Sequence, residues 1–342
     1  MKFAASLFFA SFLVFGTAAG GPVELKIATV VPEGSAWMKE MRAAAADVKA
    51  RSGGRVAVKL YGGGVMGNDR QVLRKIRIGQ LHGGAFTANS LAEKYPDIAL
   101  YGLPMIFASQ AEVDYVRERM DATLAAGLEK AGFVSFGIAG GGFARILAGK
   151  PVTVTADMGG LKIWVPEGDR ISTAAMLALR LAPVSLPVTD VLTGLQTGLI
   201  DVIAAPPAAA IALQWHTRVK YVTDVPLMYA IGLMAIDTMA FSRMEPSDQQ
   251  VFREVMGAVY RKLDQASSRE DAAAQKALLA GGIKPVVANS ADVAAWRRAC
   301  EAANADLGSQ GAYTPALLAT LQKHLADFRR NGGIVRQAPA AP

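Results

Sequence analysis

The alternation of strand and helix patterns at the start of this chain constrains its fold more strongly than any other feature. Apolar stretches at residues 23–30, 55–61 and 83–87 predict strands. Ser35 is placed to cap a helix whose apolar residues recur at about every fourth position, and residues 69–78 predict a second helix. This βαβαβ order predicts a parallel sheet with helices on both faces.

A second run of the same kind follows and predicts a second α/β lobe. Its predicted strands are residues 161–165, 184–186 and 201–204, and its predicted helices are 172–180 and 189–197.

The C-terminal third predicts elements that tie the two lobes together. Residues 234–242 predict a long strand that returns the chain to the first lobe. The pattern Ser247-x-x-Gln250 predicts a capped helix running from Pro246 to about residue 279. At 1.5 Å per residue this helix is about 50 Å long, enough to brace both lobes. Two more helices are predicted over 291–307 and 314–330.

The loops that follow the first predicted strands mark a candidate ligand crevice. In parallel sheets, ligands bind outside the carboxyl ends of the strands, where the connecting loops gather. We therefore expect one crevice to be bordered by the polar residues of these loops, Glu33, Asn68, Asp69, Thr87 and Asn89.

The N-terminus has the pattern of a secretory signal. Lys2 precedes an apolar run over residues 3–15 that is too short to span a bilayer, and small residues occupy positions 16–19. We expect residues 1–19 to be a cleaved signal peptide and the mature chain to be periplasmic. The Pro/Ala-rich residues 336–342 predict a disordered tail.

Charge, cysteine and histidine content argue against several other kinds of function. The net charge of +7 is spread along the chain, and no basic stripe carries interleaved aromatic residues, so no nucleic-acid partner is expected. The single cysteine, Cys300, excludes an internal disulfide and has the setting of a buried thiol. His82, His216 and His324 lack the spacing of metal ligands.

The glycine-rich loop after the second strand does not predict a cofactor site. Gly62, Gly64 and Gly67 have the spacing of the dinucleotide fingerprint, but residues 83–87 lack the acidic residue that would bind the ribose. We expect no cofactor. The chain also lacks a G-x-S-x-G nucleophile elbow, and we expect it not to be an enzyme.

Three segments carry a resemblance to a known family. They read K-L-Y-G-G-G-V-M-G-N-D over residues 59–69, G-L-K-I-W-V-P over 160–166 and T-G-L-I-D-V-I-A-A-P-P over 197–207. They resemble the periplasmic solute-binding proteins of tripartite ATP-independent (TRAP) transporters of the dicarboxylate (DctP) type, and the resemblance covers about residues 24–330.

The resemblance implies an α/β, two-lobe periplasmic-binding-protein fold (type II-like), with mixed or parallel sheets flanked by helices. It implies a monomer that closes on a small molecule and works with integral membrane transporter subunits. Lobe I is expected to comprise residues 20–142 and 231–270. Lobe II is expected to comprise 143–230 and 271–335, including the C-terminal helices.

Two positions depart from the pattern of the resembled family. Trp164 stands where the family usually has the arginine that holds the substrate carboxylate, and Ala205 stands in place of its ligand-facing asparagine. Tryptophan offers an apolar, stackable face but cannot imitate a bidentate arginine–carboxylate pair. Residues 202–207 extend this apolar wall, which includes Pro206. Further candidate lining residues are Phe86, Phe143 and Tyr229.

Arg145 has two open interpretations. In the resembled family an arginine at this position often contacts the ligand. By spacing alone, Arg145 could equally pair with Glu167 or Asp69 and latch the lobes together. If Glu167 does not pair with Arg145, it and Asp169 are expected to lie in a solvated loop.

These residues lead to one main functional hypothesis and two alternatives. The chain is expected to capture a largely apolar or aromatic ligand between its lobes and deliver it to a membrane transporter. One alternative is an organic monocarboxylate held by Arg145. The other is an adaptor or sensor module of an envelope complex that captures no free solute.

Overall fold

The computed structural model of the chain describes residues 22–332. The expected signal peptide, 1–19, and the expected tail, 336–342, lie outside the described residues. Ten strands are present in this part of the chain: β1 Val23–Thr29, β2 Val56–Tyr61, β3 Gly83–Thr87, β4 Phe133–Ser135, β5 Ala139–Ala148, β6 Ile163–Pro166, β7 Pro183–Leu186, β8 Val202–Ala205, β9 Tyr221–Asp237 and β10 Lys284–Val286.

Eleven helices flank the strands in the same part of the chain. They are α1 Ala36–Arg51, α2 Asp69–Arg77, α3 Ala88–Leu91, α4 Gln110–Lys130, α5 Arg170–Ala178, α6 Val191–Thr197, α7 Pro207–Ala212, α8 Thr238–Phe241, α9 Pro246–Ala280, α10 Ser290–Ser309 and α11 Pro315–Arg330. None of the helices described between residues 22 and 332 is both long and apolar enough to span a bilayer.

All ten strands belong to one mixed sheet. Its order is β2-β1-β3-β9-β5-β8-β6-β7, and β4 and β10 also pair with β9. At one end β1 is parallel to β2 and β3, and at the other end β6 is parallel to β7 and β8. In the middle, β9 is antiparallel to β3 and β5. The predicted βαβαβ unit and the α/β class are confirmed.

The strand that links the two halves is longer than the sequence indicated. The predicted strand over residues 234–242 is wrong in its bounds, because β9 runs from Tyr221 to Asp237. It ends where the side chain of Asp237 accepts a hydrogen bond from the backbone N–H of Ala240 and caps α8. Its first half contains Pro226, which has no N–H to donate to a ladder. The pairing of β9 with β5 is irregular at this point, and the bulge accommodates the proline.

The long helix α9 braces the two ends of the sheet, as expected. Its 35 residues contact α1 and β5 as well as α7, which follows β8. The predicted capping pair Ser247 and Gln250 is wrong. The N-cap position is Glu245, which makes no capping side-chain bond, and Pro246 occupies the first helical position. Proline suits that position because its missing N–H would have no partner there.

Separate apolar clusters stabilise the two ends of the sheet. At the first end, Met38, Met41 and Val48 of α1 are almost fully buried against the sheet and α9. At the second end, one cluster includes Trp164 and a second includes Trp296. The clusters at the two ends of the sheet, joined by β5, β9 and α9, make a two-lobe arrangement. The lobe boundaries given above remain a prediction.

Candidate functional site

A cavity of about 1080 Å³ lies where the carboxyl ends of the parallel strands from the two halves face each other. Its lining includes residues 29–31, 68–70 and 85–90 from the first half and 163–172, 187–188 and 202–206 from the second. Residues 227–233 of β9 form part of the wall between them. The cavity therefore lies at the position that the strand–helix pattern predicted.

Most of the residues expected around the crevice line this cavity. They are Asn68, Asp69, Phe86, Thr87, Asn89, Trp164, Ala205, Pro206 and Tyr229. They come from the ends of β3, β6 and β8, from the start of α2 and from β9. Whether they contact a ligand stays a prediction.

Glu33 and Phe143 do not line the cavity. Glu33 is exposed and forms an ion pair with Arg42 of α1, with Nη2 2.6 Å from Oε1. Phe143 is buried in the core with its ring edge-on to Tyr229, at a centroid distance of 5.1 Å. Phe143 is therefore a core residue and not a lining residue, because its ring is already covered by protein.

Arg145 also lies outside the cavity lining, and the expectation that it contacts ligand is not supported by its position. Its neighbours on β5, Ala144 and Ile146, line the cavity, and side chains alternate between the two faces of a strand. The Arg145 Nε atom is 2.8 Å from Oδ1 of Asp224, and Nη1 is 3.6 Å from Oδ2 of Asp271 on α9. The latch with Glu167 or Asp69 is wrong, since Arg145 ties β5 to β9 and α9.

Replacing Arg145 with methionine should therefore lower stability and leave the cavity unchanged. Asp271 is largely buried, and burial raises the pKa of its carboxyl group despite the nearby arginine. Losing a charged hydrogen-bond partner costs about 1–3 kcal/mol. Thermal unfolding would measure this loss, with Arg218→Met as an exposed control. Tight binding of D-glucuronate that disappears in Arg145→Met would show instead that Arg145 holds the ligand.

Trp164 presents its ring, and not its N–H, to the cavity. Its Nε1 donates to the backbone carbonyl of Leu186 at 2.9 Å. The indole packs edge-on against Trp215 with a centroid distance of 5.2 Å, and only 7% of Trp164 is exposed. Both tryptophans line the cavity. Trp215 was not predicted to line the site, because it lies in a short 3-10 helix after α7 that has no motif.

Polar contacts cross the cleft between the two halves. Asn89 Nδ2 donates to Asp169 Oδ2 at 2.7 Å, and Asn68 Nδ2 donates to Glu167 Oε2 at 3.2 Å. Arg70 Nη1 lies 3.6 Å from Glu167 Oε1. These contacts hold the two rims of the cavity together without Arg145.

Asp169 is not part of a solvated loop, contrary to expectation. It is 6% exposed, and its Oδ1 accepts from the backbone N–H groups of Ile171 and Ser172, each at 3.0 Å. It is the N-cap of α5, and this role fixes where the first turn of the helix meets the cleft. The contact with Asn89 was not visible in the sequence, because the two residues lie 80 positions apart.

Charged side chains in the lining are concentrated at the rim, and carboxylates outnumber arginines. The charged lining residues are Asp69, Glu93, Glu167, Asp169, Arg70 and Arg170. Asp69 accepts a hydrogen bond from Ser90 Oγ at 2.5 Å, and burial raises its pKa to about 6. Four carboxylates against two arginines in the lining disfavour an added anion except beside the arginines.

Comparison with known proteins places this geometry among solute-binding proteins. The chain is 24% identical over 202 residues to the 2,3-diketo-L-gulonate-binding periplasmic protein YiaO of Escherichia coli (strain K12), an alignment that covers 58% of this chain and 61% of that protein.

Solved structures of solute-binding proteins share the fold of this chain, and two of them show the extent of the overlap. One is the sugar acid binding protein DctPAm of Advenella mimigardefordensis in complex with galactonate, with a TM-score of 0.82, 17% identity and coverage of 90% of this chain and 99% of that one. The other is a TRAP periplasmic solute binding protein of Desulfovibrio salexigens with bound orotic acid, with a TM-score of 0.80, 19% identity and coverage of 89% and 99%. The two-lobe α/β fold expected from the motifs is confirmed.

The family assignment rests on a match that spans most of the chain. Residues 27–309 match the bacterial extracellular solute-binding protein family 7, DctP. This match confirms the family that the three motifs resemble. The chain therefore belongs to the DctP family of bacterial extracellular solute-binding proteins.

Proposed function

We propose that this protein is the periplasmic binding protein of a TRAP transporter, which captures one small molecule between its lobes and delivers it to integral membrane subunits. The family match and the names of the relatives support the transport role. The observation that carries ligand capture is the cavity of about 1080 Å³ between the strand ends, bridged by contacts from both sides. The signal pattern at residues 1–19 supports export.

The lining favours a ligand with an apolar or aromatic body over the acids bound by the relatives. The indole of Trp164 and the methyl group of Ala205 offer no donor to a carboxylate, and Arg145 pairs with Asp224 outside the cavity. A carboxylate buried there would lose its hydration without gaining a charged hydrogen-bond partner. Apolar surface buried against the same wall contributes about 25 cal/mol per Å².

An organic monocarboxylate is the second candidate, and it has a different cation in support of it. Arg170 lies exposed at the start of α5 and lines the cavity. Within residues 22–332, Arg170 forms no ion pair. The nearby carboxylate of Glu167 pairs with Arg70 instead. Arg170 replaces Arg145 as the arginine that would hold such an anion. The adaptor or sensor alternative has no comparable observation in its favour.

Mass spectrometry of small molecules released from natively purified protein tests the proposal. The expected result is a largely apolar compound. It should rebind to the ligand-free protein, and its affinity should be the same for Arg170→Gln as for the unmodified chain. A monocarboxylate whose Kd rises about 10- to 100-fold in Arg170→Gln would favour the second candidate, because charged hydrogen bonds contribute about 1.5–3 kcal/mol. Arg180→Gln, just beyond the other end of α5, is the control. Release of a dicarboxylate, or of a sugar acid whose affinity is unchanged in Arg170→Gln, would contradict both candidate ligands.

A further inference from the structure

Three polar side chains of the cavity lining form one hydrogen-bonded group. They are Asp69, Thr87 and Ser90, and we refer to them as the acceptor group. Ser90 Oγ donates to Asp69 Oδ2 at 2.5 Å, and Thr87 Oγ1 lies 2.9 Å from Ser90 Oγ. Thr87 is exposed, and Ser90 and Asp69 are partly buried, so a molecule in the cavity can reach the group.

The hydroxyl hydrogens of the acceptor group are used within the group. A serine hydroxyl carries one hydrogen, and Ser90 donates it to the carboxylate of Asp69. The contact between Thr87 and Ser90 therefore uses the hydrogen of Thr87, with Ser90 Oγ as its acceptor. An ionised carboxylate accepts up to about four hydrogen bonds, more than Ser90 and the backbone N–H of Thr87 supply. The group therefore offers acceptors, and not donors, to a ligand.

The carboxylate of Asp69 also has no cation beside it. Within residues 22–332 Asp69 forms no ion pair, and the adjacent Arg70 pairs across the cleft with Glu167. Burial raises the pKa of Asp69 to about 6, because the carboxylate loses hydration without gaining a counter-charge. A positive charge placed against this carboxylate would offset that cost.

The other charges of the lining leave this part of the cleft negative. Glu93, which follows α3 on the same half of the cleft, adds a further carboxylate to the lining. Arg170 is the lining arginine without an ion pair among residues 22–332, and it begins α5 on the opposite half. The charge of the cleft and the direction of the hydrogen bonds therefore favour the same kind of ligand group, one that is positively charged and donates hydrogen bonds.

We propose that Asp69, Thr87 and Ser90 bind the positively charged nitrogen of an organic ammonium compound, whose apolar or aromatic body occupies the rest of the cleft. This inference rests on the proposed function, because it names the class of molecule that the same cleft captures. The ammonium group donates hydrogen bonds to Thr87 and Asp69 and supplies the missing counter-charge. A carboxylate in its place has no hydrogen to donate and is repelled by Asp69.

Three probes with one aromatic body test this inference by calorimetric titration of the mature, ligand-free protein at pH 7. They are 2-phenylethylammonium, 2-phenylethanol and 3-phenylpropanoate, which differ mainly in the charge of the polar end. The ammonium compound should bind with a Kd below about 1 mM. It should also bind about 10- to 100-fold more tightly than the alcohol, the usual gain from a charged hydrogen bond. This comparison uses the unmodified protein and does not depend on how a variant folds.

Asp69→Asn tests the role of the carboxylate. Asparagine keeps the shape of the side chain and an acceptor oxygen for Ser90, but it removes the charge. The Kd of 2-phenylethylammonium should rise about 10- to 100-fold, and the Kd of 2-phenylethanol should not change. Asp47→Asn is the matched control, because Asp47 is exposed on α1 and does not line the cavity.

The pH dependence of binding gives a further readout. A primary ammonium group keeps its charge between pH 5 and pH 7. With a pKa of about 6, Asp69 is mostly ionised at pH 7 and mostly protonated at pH 5, so the Kd of 2-phenylethylammonium should rise about tenfold over this range. This rise should be absent in Asp69→Asn. Both proteins keep the other charged side chains of the lining, which are Arg70, Glu93, Glu167, Asp169 and Arg170.

The outcomes separate failure of this inference from failure of the proposed function. Equal Kd values for the ammonium compound and the alcohol would overturn ammonium binding and leave capture of an aromatic ligand intact, as would a Kd for the ammonium compound above about 1 mM. Preference for 3-phenylpropanoate that is lost in Arg170→Gln would overturn it in favour of the monocarboxylate. Tight binding of D-glucuronate, with no binding of the three probes, would overturn both this inference and the proposal of an apolar ligand.

Discussion

Replacing Trp164 with alanine is expected to lower the free energy of unfolding by about 3–5 kcal/mol, the usual cost of removing a large aromatic side chain from a core. The indole is 93% covered by protein, since Trp164 is 7% exposed, and it packs edge-on against Trp215. Its loss also removes the hydrogen bond to the carbonyl of Leu186. Unfolding in guanidinium chloride, followed by circular dichroism, would measure the change.

Trp164→Phe separates the two contributions of the indole. Phenylalanine keeps most of the contact with Trp215 but loses the indole hydrogen bond to the Leu186 carbonyl, which still accepts from the backbone N–H of Glu167 at 3.1 Å, so the loss should be about 0.5–1.5 kcal/mol. We therefore expect this variant to be more stable than Trp164→Ala. A loss below about 1 kcal/mol in Trp164→Ala would mean that the side chain is not part of the core.

The second large effect is expected at Arg117, which joins α4 to α9. Its side chain is 7% exposed, with Nη1 2.6 Å from Asp264 Oδ1 and Nη2 2.9 Å from Asp121 Oδ2. Nη2 also donates to the carbonyl of Ile138 at 2.7 Å. Arg117→Met removes the cation from both carboxylates, although Asp121 keeps the Tyr101 hydroxyl and Asp264 keeps the Gly140 N–H as donors. Breaking a fully buried ion pair costs about 3–5 kcal/mol, and because each carboxylate is 34% exposed we expect a loss of about 2–3 kcal/mol.

The loss in Arg117→Met should depend on pH in a defined direction. Burial raises the pKa of Asp121 even with Arg117 beside it, so the folded state already disfavours the charged carboxylate relative to the unfolded state. Without the arginine this penalty grows at pH 7, and protonation near pH 4 relieves it. Unfolding of Arg119→Met, an exposed neighbour paired with Glu118, is the control. Equal losses in both variants at pH 7 would contradict a special role for Arg117.

The elements of the fold were largely predictable because each follows from a local pattern. Residues 83–87 form β3 as predicted, and α9 begins at Pro246 as predicted. The bounds of β9 were wrong, because Pro226 interrupts its pattern and only pairing with β5 across a bulge makes the segment a strand. Such pairing depends on residues distant in the chain, which one sequence cannot reveal. The elements α4, β4, β5 and β10 were not predicted at all.

The site was predictable only in outline. Parallel strands place their carboxyl ends together, which located Asn68 and Asn89 at the cavity but also named Glu33, which does not line it. Trp164 was placed at the cavity by the resemblance to the family. The rule for parallel strands says nothing about the direction of the Arg145 side chain, which depends on Asp224 and Asp271. Arg170 could have been predicted as a lining residue, because it directly follows the loop between β6 and α5.

The proposal that the cavity has no acid clamp is tested most directly by calorimetric titration of the mature, ligand-free protein with galactonate, D-glucuronate and succinate. The DctPAm protein of A. mimigardefordensis, solved in complex with galactonate, is the positive control. With Trp164 and Ala205 lining the cavity and Arg145 paired elsewhere, each acid should bind with a Kd weaker than about 1 mM, equivalent to less than about 4 kcal/mol. A micromolar Kd for any of the three would contradict the proposal of an apolar ligand.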